Sequence, residues 1–332
     1  MFDGKKILIT GGTGSLGKEL TKRLLKMKVD TIRILSRNEE NQIMMESELD
    51  DDRLRFLLGD IRDLTRLERA LEDIDIVFHA AALKHVPKIE YNPFEAVKTN
   101  VIGSQNVIDA SLKQNVEKVI AIGTDKAVSP FNTYGATKLL MEKLFVDAGN
   151  YTNPEKHRTK FIALRYGNVL GSSGSVIPKF IDQIKNNKKI TITHPDMTRF
   201  SITMDEALDF IIESTIMGVG SEVIIPKLKA YSIIDVKEAL FELLKNTGYE
   251  NVGIREGEKL HEVLISEYEV RDTWETDNKY VLTNSMQEQK ITDLYSNKLV
   301  RPNNINKYSS DFAESIGKEE LKKIIKLSGI LN

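Results

Sequence analysis

The chain has 332 residues, and its 47 lysines and arginines nearly balance 49 aspartates and glutamates, for a net charge of −2. That length accommodates a full nucleotide-binding domain with a smaller companion, while the balanced charge excludes a field strong enough to gather nucleic acid or an anionic membrane surface. Cysteine is absent, which removes disulfides, thiolate metal sites and cysteine nucleophiles from consideration.

At the amino terminus only Ile7-Leu8-Ile9 precedes the first glycines. This is too short for a signal-peptide core or for the roughly twenty residues of a spanning helix, so a cytoplasmic protein without membrane contact is expected. Short β-branched runs at 6–10, 31–35, 54–58, 74–79, 116–123 and 160–165 alternate with helical stretches at 15–27, 39–48, 63–71, 93–115 and 131–148. That rhythm predicts an α/β fold, a Rossmann-type doubly wound parallel sheet over 1–170. Beyond it the spacing predicts helices at 176–186, 204–217 and 232–245 and strands at 189–193, 222–226 and 251–254. These define a smaller interleaved α/β substrate domain over 171–285, some of whose segments return to the first domain. A polar C-terminal tail follows over 286–332, with a charged helix at 317–327 and no evident role.

The first strand runs into Thr10-Gly11-Gly12-Thr13-Gly14-Ser15-Leu16-Gly17. In a strand-to-helix turn Gly11 makes the bend, Gly14 lets a pyrophosphate approach the backbone and Gly17 packs helix on strand, with Thr13, Ser15 and Leu16 beside them. A glycine-rich turn alone also serves as a tight loop; the βα rhythm around this one favours a dinucleotide site. The second strand ends in Ser36-Arg37-Asn38, without a carboxylate to take a ribose hydroxyl. The planar guanidinium of Arg37 suits a 2′-phosphate, so NADP is expected rather than NAD. Asp60 and Ile61 after the third strand, and Ala80-Ala81-Ala82 after the fourth, complete the approach to the cofactor.

The fifth strand leads to Thr124-Asp125-Lys126, and Tyr134 and Lys138 follow four residues apart on one helix face. An ammonium beside a phenol lowers its pKa, and the phenolate can take a carbinol proton as hydride leaves, with Thr124 binding the same hydroxyl. An extended backbone would point Asp125 and Lys126 in different directions. The histidines 79, 85, 157, 194 and 261 lack metal-ligand spacing, so no metal is expected.

These stretches resemble the inverting UDP-N-acetylglucosamine 4,6-dehydratases of the extended short-chain dehydrogenase/reductase superfamily, a group of polysaccharide and flagellar-sugar enzymes. The likeness spans about 4–270 and rests on the glycine turn, on His79-Ala80-Ala81-Ala82-Leu83-Lys84-His85-Val86-Pro87, Thr124-Asp125-Lys126-Ala127 and Tyr134-Gly135-Ala136-Thr137-Lys138, and on Arg165-Tyr166-Gly167-Asn168-Val169, Met197-Thr198-Arg199-Phe200 and Gly257-Glu258-Lys259. It implies that NADP takes hydride from C4 of the sugar with Tyr134 as base. Lys126 then removes the C5 proton, Asp125 protonates the departing C6 hydroxyl, hydride returns to C6, and C5 is reprotonated from the opposite face. It adds Lys84, Asn100, Tyr166 and Val169 to the cofactor contacts. For a UDP-sugar it points to Lys84, Asn168, Gly174, Ser175, Val176, Arg199, Arg255 and Glu258; Ser173 departs from the arginine of many relatives. Apolar stripes in 93–115 and 131–148 resemble the dimer contact of many relatives, so a homo-oligomer is expected. A 4-epimerase or reductase on the same scaffold would keep Tyr134, Lys138 and the glycines without needing Asp125-Lys126. A non-catalytic NADP-binding protein would be expected to lose the tyrosine or the lysine.

Overall fold

The computed structural model describes residues 1–331 except Pro154, Ser172, Ser173, Gly174, Ser285, Asn297 and Asn304. The first half alternates as expected: β1 (Lys6–Thr10), α1 (Ser15–Leu25), β2 (Thr31–Ser36), α2 (Glu39–Leu49), β3 (Leu54–Leu58), α3 (Leu64–Ala70) and β4 (Ile76–His79). The single helix expected at 93–115 is instead α4 (Val86–Tyr91), α5 (Pro93–Ala96), a π-helical turn (Val97–Ile102) and α6 (Gly103–Lys113). Pro93 cannot continue α4, and Asn92 before it leaves the helical region at φ −129° and ψ 57°. Then come β5 (Lys118–Ile122), a 3₁₀ turn (Asp125–Ala127), α7 (Thr133–Tyr151), β6 (Lys160–Leu164) and β7 (Asn168–Val169).

The second half holds α8 (Val176–Lys185), β8 (Ile190–Ile192), β9 (Thr198–Ile202), α9 (Met204–Met217), β10 (Glu222–Pro226), β11 (Ala230–Ser232), α10 (Ile233–Leu243), β12 (Tyr249–Asn251) and β13 (Val263–Ile265). It closes with β14 (Thr273–Glu275), β15 (Lys279–Thr283), α11 (Glu288–Leu294), β16 (Tyr308–Ser309) and α12 (Lys318–Leu327). The strand expected at 251–254 lies at Tyr249–Asn251, paired in parallel with β8.

The main sheet has nine strands in the order β14-β15-β10-β6-β5-β4-β1-β2-β3. From β3 to β10 the neighbours are parallel, and β15 and β14 close the edge antiparallel. A parallel sheet must be covered on both faces, and two apolar cores do this. Leu20 and Leu24 of α1 and Leu208 and Ile211 of α9 lie in one; Leu67 of α3, Val107 of α6 and Phe145 of α7 lie in the other. The chain order reverses between β1 and β4, which opens a crevice at the carboxyl ends of the strands, the usual ligand position in such sheets.

Residues 222–226 and 273–283 thus belong to the large sheet. All five residues of β15 are buried, and Lys279 at its start is neutralised by Glu213 at 2.6 Å. A third core joins Phe180 of α8, Val236 and Leu240 of α10 and Leu321 and Ile325 of α12. The last segment is therefore packed into the smaller layer, and β16 pairs with β13. Among the described residues no helix is long and apolar enough to cross a membrane, and no cluster of His, Asp and Glu is arranged to hold a metal.

Candidate active site

At the switch point Gly11 has φ +67°, and a Cβ there would lie 2.8 Å from both N and Cα of Ala81. The glycine thus permits both the turn and the close passage of the 80–82 segment. Gly17 packs against Gly12, where a Cβ would meet Cα at 2.6 Å. Gly14 caps α1, the first turn of α1 carries no acidic side chain, and Gly14 and Ser15 are exposed, so the helix amides are free to meet an anion. Thr13 and Leu16 are half-buried beside them.

Thr10 Oγ1 meets His79 Nδ1 at 2.8 Å, and His79 Nε2 meets Ser104 Oγ at 3.0 Å. Burial first, and then the charge of Lys138, push the His79 pKa down to about 3. It is a neutral, hydrogen-bonded core residue.

Arg37 is exposed and lies 3.6 Å from Asp60, which also pairs with Arg62 at 2.7 Å. Burial opposes ionisation of Asp60, but hydrogen bonds from Arg62 and the charge of Arg37 outweigh it and lower its pKa. Several other expected cofactor contacts are occupied by the fold. Ser36 Oγ accepts from Gln42, and Asn38 Oδ1 accepts from Asn41 N to cap α2. Ile61 packs on Gly103, where a Cβ would lie 2.7 Å from its Cδ1. Asn100, in the π turn, exchanges hydrogen bonds with the backbone of Leu83 and donates to Thr137 Oγ1 at 3.0 Å. It therefore ties the segment after β4 to the helix that carries Tyr134, and it leaves Lys84 exposed at the rim. Tyr166 is buried and its carbonyl accepts from Asp125 N at 3.0 Å, while Val169 is half-buried in β7.

The chemical end is built on the turn after β5. Contrary to the extended geometry expected, Asp125–Ala127 is a 3₁₀ turn, and Lys126 Nζ folds back to Asp125 Oδ1 at 3.1 Å. The lysine also donates to Asn168 Oδ1 at 3.1 Å and lies 3.4 Å from Glu262 Oε1. Thr124 Oγ1 donates to Asp125 Oδ1 at 2.9 Å. Burial, and next Glu262, raise the Asp125 pKa against the pull of Lys126. For Lys126 burial favours the neutral amine, but Asp125 and Glu262 outweigh it and hold the ammonium above the usual lysine range.

On α7 Tyr134 and Lys138 share a face, yet the ammonium is directed elsewhere. Lys138 Nζ donates to Ile122 O at 2.6 Å, and burial brings its pKa down to about 7 despite Glu142. The Tyr134 pKa is raised, by burial first, with Lys126 acting in the lowering direction. The expectation of a phenol acidified by Lys138 is thus corrected: burial dominates, and the cation facing the phenol is Lys126. Asn132 caps α7, accepting from Gly135 N at 2.7 Å and donating to Gly257 O at 2.8 Å.

Among the substrate residues, Arg199 spends its donors on the carbonyls of Thr198, Lys259 and Leu260 and lies 3.7 Å from Glu262. Instead of presenting an open anion contact, it organises the 255–262 segment. Arg255 is half exposed, 3.6 Å from Glu258. Ser175 caps α8, and its Oγ is buried without a partner among the described residues; Val176 begins the helix, and Gly174 lies outside them. Lys179 of α8 feels the charge of Arg255, so two cations flank that helix start. Glu262 was not singled out from sequence. Its only signal was its place three residues beyond Lys259, and nothing local says that the segment folds back beside Lys126.

A doubly wound sheet with this glycine turn, a Tyr and Lys on the helix after β5, and a smaller layer over the strand ends define an extended short-chain dehydrogenase/reductase. UDP-N-acetylglucosamine 4,6-dehydratase (inverting) of Campylobacter jejuni is 46% identical over 288 residues, covering 86% of this chain and 85% of that protein. UDP-glucose 4-epimerase of Rickettsia bellii is 37% identical, covering 98% and 96%. The X-ray structure of Pen from Bacillus thuringiensis superposes with a TM-score of 0.90 at 38% identity, covering 100% of each chain. The chain belongs to the family described as polysaccharide biosynthesis protein, which matches residues 7–284.

Proposed function

We propose that this protein is an NADP-dependent, C5-inverting 4,6-dehydratase of UDP-N-acetylglucosamine that acts in the cytoplasm. The observation that carries the reading is the pair of buried Asp125 and half-buried Lys126 beside Tyr134, since a 4-epimerase or reductase needs no second acid–base pair. The dinucleotide fits the free amides at the start of α1 and the close approach at Gly11, and the 2′-phosphate fits the exposed guanidinium of Arg37. The nicotinamide, when bound, supplies the hydride acceptor for C4 and the hydride donor for C6.

The residues of the chain handle the protons. Tyr134 takes the proton of the C4 hydroxyl, with Lys126 favouring its anion. The C4 ketone acidifies the C5 hydrogen, which Lys126 removes after passing its own proton to Asp125 Oδ1, 3.1 Å away, and later returns to the opposite face of C5. Asp125, whose pKa is raised by burial and by Glu262, gives that proton to the departing C6 hydroxyl, which leaves as water. The start of α8 with Ser175, Lys179 and Arg255 suits the diphosphate of the nucleotide sugar. Copies of the chain would pair through Phe94, Ile102, Leu140 and Tyr151, large apolar side chains exposed on α5, the π turn and α7.

Incubation with UDP-N-acetylglucosamine in deuterium oxide tests the reading. A 4-keto-6-deoxy product with deuterium at C5 and the L-arabino configuration is expected; UDP-N-acetylgalactosamine or unchanged substrate would overturn it.

A further inference from the structure

Glu262 is a buried carboxylate that the scheme above does not use as a reactant. Its backbone is pinned: its N–H donates to Ser310 Oγ at 2.9 Å, and its carbonyl accepts from Ser310 N at 2.8 Å. Ser310 also meets Thr198 Oγ1 at 2.7 Å, so the C-terminal segment and β9 together hold the carboxylate in place. It is faced by Asp125 and Lys126 from the turn after β5, by Arg199 from β9, by Tyr231 from β11 and by Lys259 from its own loop. Lys259 is itself anchored, donating to Val128 O at 2.6 Å. One Glu262 oxygen, Oε2, has no hydrogen-bond partner among the described residues.

We propose that Glu262 is a positioning residue whose buried carboxylate, 3.4 Å from Lys126 Nζ and 3.7 Å from Arg199 Nε, governs how many protons the Asp125–Lys126 pair carries. This rests on the reading of Asp125 and Lys126 as the proton-handling pair. A fixed negative charge acts on both members in one direction: it keeps the ammonium on the lysine and the proton on the aspartate. Glu262 thus favours the protonated form of each, and the base is restrained until substrate rearranges the pair. Burial opposes ionisation of Glu262, but Lys126 first, and then Arg199 and Lys259, outweigh it and lower its pKa. The carboxylate touches neither a hydroxyl of the sugar nor the cofactor in this scheme; it acts through Lys126 and Asp125.

The test uses the full chain labelled with ¹³C,¹⁵N-lysine, with the Lys126 signal assigned by its loss in Lys126→Arg. Lys126 is titrated in the parent, in Glu262→Gln and in Glu262→Asp, and the pH profile of C5 deuterium uptake is recorded for each. In the parent the lysine midpoint should lie above the ordinary value of about 10.4. In Glu262→Gln its midpoint should fall by about one to two pH units, and the whole uptake profile should move acidward with it. Glu262→Asp, which keeps the charge but withdraws it, should move in the same direction by less.

An unshifted Lys126 midpoint in folded Glu262→Gln would overturn the proposal. If that variant does not fold, an unshifted or raised midpoint in Glu262→Asp would overturn it equally. Failure of the dehydratase reading appears separately, as a parent enzyme that takes up no deuterium at C5 while its lysine still responds to Glu262.

Discussion

Lys126→Ala separates dehydration from simple redox chemistry. The substitution removes an ammonium held by Asp125 and Asn168 at 3.1 Å each and by Glu262 at 3.4 Å. Breaking a buried ion pair from one side costs about 3–5 kcal/mol when the other charge is left uncompensated. Two features reduce that here. Burial and Glu262 raise the Asp125 pKa and so favour its neutral form once the lysine is gone, and Glu262 retains Arg199 at 3.7 Å. The loss should therefore lie at or below the lower end, about 3 kcal/mol, which a domain with about 5–15 kcal/mol of stability survives. Thermal unfolding should confirm a folded variant with a lowered midpoint. Lys126 is also the cation that favours the Tyr134 anion, so oxidation at C4 should slow but still occur through Tyr134, and reduced-nicotinamide absorbance should build up in a single turnover. Removal of the C5 proton should fall by about 10²–10⁴-fold, the range for loss of a general base. Recovered sugar should then carry no deuterium at C5. Exchange at the parent rate would refute the assignment of Lys126 as the base.

Arg37→Asp should shift preference from NADP toward NAD, because it removes the phosphate partner and supplies a ribose acceptor; unchanged relative affinities in titrations with both cofactors would contradict this. Tyr134→Phe should abolish the first hydride transfer, and normal transient formation of reduced nicotinamide would exclude the tyrosine as base. His79 bears on acid stability: its pKa is about 3 in the folded chain and 6.5 unfolded, so the unfolded state binds more protons between those values. Stability is fully present above pH 6.5 and is lost as pH falls toward 3, with His79 accounting for about 2 kcal/mol between pH 7 and pH 5. Chemical unfolding of His79→Gln, whose amide can replace the contacts to Thr10 and Ser104, should show a smaller loss over that window. An identical pH dependence in both proteins would remove His79 from the account.

Much of this molecule is legible along the chain because its signals are local. The βα alternation follows from runs of buried β-branched residues, and the glycine turn follows from steric limits at Gly11 and Gly17 that the nearest strand and helix impose. The four-residue spacing of Tyr134 and Lys138 guarantees a shared helix face. Tertiary structure decided what depends on distant partners. Lys279 sits in a buried edge strand because Glu213, far earlier in the chain, neutralises it. Lys138 turns to Ile122 O, and Asn100 is spent on Leu83 and Thr137. Glu262 reaches Lys126 only because Ser310 and β9 fold its loop onto the turn after β5. Residue identity and spacing determine helix faces and turns, whereas proton affinities depend on burial and on charges within a few ångströms, and those neighbours come from segments more than a hundred residues apart.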